Sequence, residues 1–134
     1  AINVRAPIVA SHAALKHLSE GGRIINIGSC LAERVPGPGL TLYAMSKAAI
    51  VGFTKGLARD LGPRGITVNN IEPGPIDTDM NPATGDTADF QRSLVALGRY
   101  GTPDDIAAMV AFLAADTGRN ITGASFLVDG GFAA

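Results

Sequence analysis

Arg23-Ile24-Ile25-Asn26-Ile27-Gly28-Ser29 decides the fold. The stretch is short, β-branched and apolar, which predicts a buried strand running into a turn at Gly28-Ser29. Such strands belong to parallel sheets whose two faces are covered by helices. Upstream, Pro7 suits a first helical turn, and Ile8, Ser11 or His12, Leu15 and Leu18 recur at helical spacing. Gly21-Gly22 ends that run, so a helix is predicted over about 6–19.

Downstream, Val35-Pro36-Gly37-Pro38-Gly39 is a loop. A helix is predicted over about 41–61, with Ile50, Phe53, Leu57 and Leu61 on one apolar face and Gly62-Pro63-Arg64-Gly65 as its stop. Ala48, Gly52 and Gly56 repeat on another side, where small residues admit close approach, either by the chain's own sheet or by another subunit. Ile66-Thr67-Val68-Asn69-Asn70-Ile71 predicts a second strand, and the prolines of Glu72-Pro73-Gly74-Pro75-Ile76-Asp77-Thr78-Asp79 predict a loop. Residues 80–98 are polar and mixed, a flap with a short helix. Thr102-Pro103-Asp104-Asp105 offers a cap, a proline at the first helical position and early acids, predicting a helix over about 103–115. Ser125-Phe126-Leu127-Val128-Asp129 predicts a third strand, ended by Gly130-Gly131.

Helix, strand, helix, strand, helix, strand is the order of an α/β layer with a parallel sheet. Three strands are few, so further strands are expected beside them, and the strand at 24–28 is expected to expose an apolar edge in this segment alone. The chain starts without methionine at Ala1-Ile2-Asn3-Val4-Arg5 and has no basic start followed by an apolar core, so it reads as the interior of a longer protein.

The 134 residues carry 11 basic and 12 acidic side chains, a formal net charge of -1, and 46% hydrophobic residues, which reads as one globular domain. That balance, with no Lys/Arg cluster, speaks against a nucleic-acid partner. No apolar run approaches the ~18 residues of a membrane span. Cys30 is the only cysteine, so no internal disulfide or thiolate cluster can form, and a cytoplasmic setting is expected. His12 and His17 are five apart on a helix and do not face one another, and Asp77 and Asp79 sit solvated in a proline loop, so no metal site is expected.

Tyr43-Ala44-Met45-Ser46-Lys47 carries the chemistry. Positions i and i+4 of a helix lie on one face, so the phenol and the ammonium share one small site. A tyrosine with a free pKa near 10 is a poor base at neutral pH; a positive charge at roughly 5 Å and an effective dielectric of about 20 contributes about 3 kcal/mol, about two pKa units. Ser29, at the carboxyl end of a strand, can hydrogen-bond a substrate oxygen while Tyr43 gives or takes its proton. On its own Ser29 is equally a turn residue after Gly28, and Asn3 a helix-start cap.

Four features in order, Asn3 before the first strand, Ile27-Gly28-Ser29 at its end, Tyr43-x-x-x-Lys47, and Pro73-Gly74-Pro75-Ile76-Asp77-Thr78, together with Val128-Asp129-Gly130-Gly131, make the chain resemble the short-chain dehydrogenase/reductase family. The likeness runs from Asn3 to Gly131 and is nearest to the 3-oxoacyl-acyl-carrier-protein reductase-like branch. It implies the carboxyl-terminal part of a Rossmann-like doubly wound parallel sheet, with residues 1–134 a partial dinucleotide-binding oxidoreductase domain and 80–98 the substrate flap. It further implies that Tyr43 is the acid/base, that Ser29 orients a carbonyl, and that Asn3 holds a water linking Lys47 to solvent. Lys47 lowers the tyrosine pKa and bonds the nicotinamide ribose of NAD or NADP, while Pro73, Gly74, Ile76 and Thr78 hold the nicotinamide end.

Two departures accompany the likeness. Ser29 stands fourteen residues before Tyr43, one more than usual in the family, and Cys30 occupies the shorter spacing. The glycine-rich turn that seats a pyrophosphate, and the residue that selects NAD or NADP, are not in this segment. The resemblance implies an oxidoreductase interconverting a ketone and a secondary alcohol in a homotetramer or dimer. The alternatives are a non-catalytic protein that binds a dinucleotide or small molecule, and an assembly element.

Overall fold

The computed structural model describes residues 2–134. Its elements are α1 (Ile2–Ala14), β1 (Arg23–Ile27), α2 (Thr41–Leu61), β2 (Thr67–Pro73), α3 (Ala88–Leu94), α4 (Pro103–Ala114) and β3 (Ser125–Val128). The strands form one parallel sheet in the order β1-β2-β3, with Arg23 opposite Thr67 and Asn70 opposite Ser125. This is the α/β architecture expected from the alternating pattern.

The central strand is the best covered. Residues 67–72 of β2 are buried, as a parallel strand flanked by two others and by helices requires. Among the described residues β1 pairs on one side only, and Ile27 at its end is 47% exposed. Ala58 and Leu61 of α2 pack with Ile66 and Val68, and Leu15, Leu18, Ile24 and Leu57 close around them. Asn26 of β1 donates to Thr54 of α2 at 2.9 Å, an internal polar tie that fixes how α2 lies on the sheet.

Three local expectations differ from the structure. α1 starts by Ile2 and ends at Ala14, so Pro7 lies inside it rather than in its first turn, and 15–18 form an irregular turn. Pro7 has no N–H, which leaves the Asn3 carbonyl without the bond residue 7 would normally give it. Asn3 is therefore a residue within the helix and not its cap.

β2 runs through Glu72 to Pro73, past the expected end at 71. Pro73 occupies the last position, opposite Val128, and the ladder continues through the Gly74 N–H to the Val128 carbonyl at 3.1 Å. The buried stripe of α2 is Ile50, Thr54, Ala58 and Leu61, rotated from the expected face by the Thr54 tie, with Phe53 only half-buried. Gly52 and Gly56 have open space where a side chain would stand, so the small-residue face is not packed on the chain's own sheet.

Candidate active site

The carboxyl ends of β1 and β2 open onto one cleft with two arms. Ser29, Tyr43, Pro73, Gly74, Met80 and Asn81 border both arms, so serine and tyrosine stand where the arms meet. One arm continues past Lys47, Ile76 and Thr78. The other runs beneath α3, past Phe90 and Leu94, to Phe132.

Each element delivers its residue for a local reason. β1 ends at Ile27, and Gly28 turns the chain where a Cβ would meet the buried Asn70 amide at 2.7 Å. Ser29 follows in extended conformation, and its Oγ accepts from the Leu31 N–H at 3.2 Å, capping a short 3₁₀ turn over Cys30–Ala32. The turn residue and the candidate donor are thus one residue, because accepting that bond leaves the hydroxyl proton free. Ser29 is buried, and Tyr43, 41% exposed, faces the cleft from the first turn of α2.

Lys47 lies one helical turn on, its Nζ 5.6 Å from the Tyr43 ring centroid. It donates to the Ile27 carbonyl at 3.4 Å, and burial holds its ammonium below the usual lysine pKa. Asn3 donates from Nδ2 to Ser46 Oγ at 3.3 Å, and Ser46 donates to the Tyr43 carbonyl at 2.7 Å, so α1 is tied to the turn bearing the tyrosine. All four candidate side chains are brought to this side of the molecule, though Asn3 does not border either arm.

The loop after β2 closes the Lys47 arm. A Cβ on Gly74 would come within 2.6 Å of the Asp129 Cα, so glycine alone lets the β2 and β3 ends lie together. Ile76 bridges in parallel to Gly101, through Gly101 N–H to Pro75 carbonyl and Asp77 N–H to Gly101 carbonyl, each 2.9 Å. That pattern uses the groups of Pro75 and Asp77 and leaves the Ile76 N–H and carbonyl directed away from Gly101. Thr78 Oγ1 accepts from the Asn81 N–H at 3.3 Å, which again leaves its proton free. A free amide N–H, a free carbonyl, a free hydroxyl and an ammonium in one groove suit a nicotinamide riboside, which presents a carboxamide and ribose hydroxyls.

Asp77 accepts from the Ala83 N–H at 2.8 Å and shapes the flap, a structural task for an acid expected to be only solvated. No metal-ligating cluster occurs among the described residues. Residues 80–98, expected as a substrate flap, supply much of the other arm, but sequence reasoning singled out none of the flap residues that line it. Phe90 and Leu94, i and i+4 on α3, are a weak signal in a seven-residue helix, and Phe132 comes from beyond the last strand. Asn81 and Gln91 join that arm through paired amide bonds of 3.0 and 2.9 Å. Cys30 both packs against Val95 and Phe132 and borders the cleft. Burial, then the charge of Asp129, pushes its thiol up to about 12, so it is not a nucleophile at neutral pH.

Residues 1–133 match the family model described as enoyl-(acyl carrier protein) reductase. The chain belongs to the short-chain dehydrogenase/reductase family. Within it, a 3-oxoacyl-[acyl-carrier-protein] reductase of Vibrio harveyi is 45% identical over 111 residues, 82% of this chain and 45% of the relative. A short-chain dehydrogenase from Burkholderia cenocepacia, solved in complex with NADP, is 62% identical with a TM-score of 0.98, over 99% of this chain and 54% of that one. A cyclic-di-GMP-binding biofilm dispersal mediator protein of Escherichia coli K12 is 50% identical over 133 residues, 99% of this chain and 56% of the relative. The short-chain dehydrogenase/reductase segment seen here thus spans about half the length of the curated relatives it matches.

Proposed function

We propose that this segment is the proton-transfer and substrate-binding part of an NAD(P)-dependent oxidoreductase that interconverts a ketone and a secondary alcohol. The observation that carries the reading is the place of Ser29 and Tyr43 at the junction of the two arms, with Lys47 one turn away on the side of the free Ile76 and Thr78 groups. A nicotinamide in one arm and a carbonyl in the other would meet there. NAD(P)H supplies the hydride. The Burkholderia relative's complex with NADP supports that cofactor class.

In this reading the Ser29 hydroxyl donates to the carbonyl oxygen and Tyr43 gives it the proton during reduction. Lys47 sits in the tyrosine's field and bonds the ribose hydroxyls. The Asn3 carbonyl, released by Pro7, holds a water that returns protons from solvent toward Lys47. Pro73 and Gly74 set the floor of the nicotinamide groove, Ile76 meets the carboxamide, and Thr78 donates its hydroxyl. The working molecule is a cytoplasmic homo-oligomer, a dimer or tetramer, consistent with the open small-residue face of α2.

The name of the Escherichia coli relative favours a second reading, a binding protein for cyclic di-GMP. Full-length protein containing this segment distinguishes the two. NADPH or NADH absorbance should fall on adding members of a ketone panel, and no loss of either with any ketone, alongside tight cyclic di-GMP binding, would favour the second reading.

A further inference from the structure

We infer that the arm beneath α3 selects uncharged carbonyl compounds with an apolar body and rejects carboxylated and phosphorylated ones, an assignment that rests on the oxidoreductase reading above. The arm leads from Ser29 and Tyr43 along Leu31, Leu40, Phe90, Leu94 and Phe132, about 610 Å³ in all, and among the described residues no Lys, Arg, His, Asp or Glu borders it. Beyond Ser29 and Tyr43, where the arms meet, its two amide side chains are engaged with each other. Asn81 and Gln91 satisfy each other's amides, and Gln91 also donates to Thr87 at 3.0 Å. A charged substrate group placed there would lose its water and find no counter-charge.

The surrounding charge reinforces the selection against anions. Burial first, and then the charges of Asp129 and Glu72, disfavour a negative charge at Cys30 on this wall. Arg34 lies over the Phe132 ring at 5.8 Å but does not border the cleft. Its Nη1 is occupied by the Phe132 carbonyl at 2.6 Å. Arg34 therefore fixes the aromatic wall from outside the lining of the arm.

A medium-chain methyl ketone, the same ketone ending in a carboxylate, and the same ketone ending in a phosphate ester test this with the full-length protein. NADPH oxidation gives kcat/KM, and calorimetry gives binding independently of turnover. The uncharged ketone should exceed both anions by at least about 100-fold in either readout. Phe90→Arg, which places a cation at the 58%-exposed mouth, should raise kcat/KM or affinity for the carboxylate at least about tenfold.

Anions handled within about threefold of the uncharged ketone would overturn the assignment while leaving the oxidoreductase reading intact. Binding of the uncharged ketone alone, without hydride transfer, would support the assignment and defeat that reading. No binding of any of the three would overturn the assignment too.

Discussion

The two arms of the cleft share Ser29 and Tyr43 but are built on opposite principles. The Lys47 arm presents polar groups with hydrogen-bonding capacity to spare, the Ile76 backbone, the Thr78 hydroxyl and a partly desolvated ammonium, set on a strand end and a long helix. The α3 arm presents carbon, and its amides are closed upon themselves. A groove of free donors and acceptors specifies one ligand by geometry. An apolar groove specifies only size and the absence of charge. One site can thereby hold a fixed cofactor and admit a range of substrates.

Breaking the polar arm should have the largest effect. Lys47→Ala in the full-length protein is expected to lower kcat/KM for ketone reduction by roughly 10²–10³-fold and to weaken NADPH binding, read by stopped-flow turnover and cofactor fluorescence. Gly74→Ala should destabilise the fold by about 3 kcal/mol, because the added methyl meets the Asp129 backbone, which cannot rotate away as a side-chain tip could. Urea unfolding checks this, and an unchanged midpoint would contradict the tight approach of β2 and β3.

On the apolar arm, Leu94→Ala should raise KM for a methyl ketone by about tenfold with little change in kcat, since it removes binding surface without touching the reacting atoms. An equal fall in kcat would mean that α3 also positions the carbonyl.

The smallest effect concerns Glu72, buried behind both arms. Burial, then the charge of Glu33, raises its pKa, while bonds to Ser125 and Asn70 oppose the shift. The folded chain therefore keeps a proton that the unfolded chain releases near 4.5. Where the native state binds more protons, stability falls as pH rises, so this contribution declines from about pH 4.5 through the higher folded pKa and is level above it. Glu72→Gln should flatten that decline in thermal unfolding followed across the acid range.

The polar arm was legible in the sequence because its parts are local. Tyr43 and Lys47 are one helical turn apart, Ser29 closes a five-residue apolar strand, and the prolines of 73–75 mark a turn at a strand's end. α2 and α4 also carried clear stop and start signals, Gly62-Pro63 and Thr102-Pro103. Of the apolar arm only the flap at 80–98 with its short helix was legible, and not its lining residues, because Leu31, Leu94 and Phe132 meet only in three dimensions and α3 is too short for a clear periodic pattern. Pro7 misled for a different reason. Proline is common at helix starts, but it is tolerated inside α1, where the single bond it removes frees the carbonyl of Asn3.

The proposed role of Tyr43 as proton donor is tested most directly by single-turnover hydride transfer from NADPH to an uncharged ketone in Tyr43→Phe full-length protein. The expected result is a rate constant lower by roughly 10³-fold or more, with NADPH affinity within about threefold of the parent, since the ring is kept and only the hydroxyl is lost. A variant that transfers hydride at the parent's rate would contradict the account.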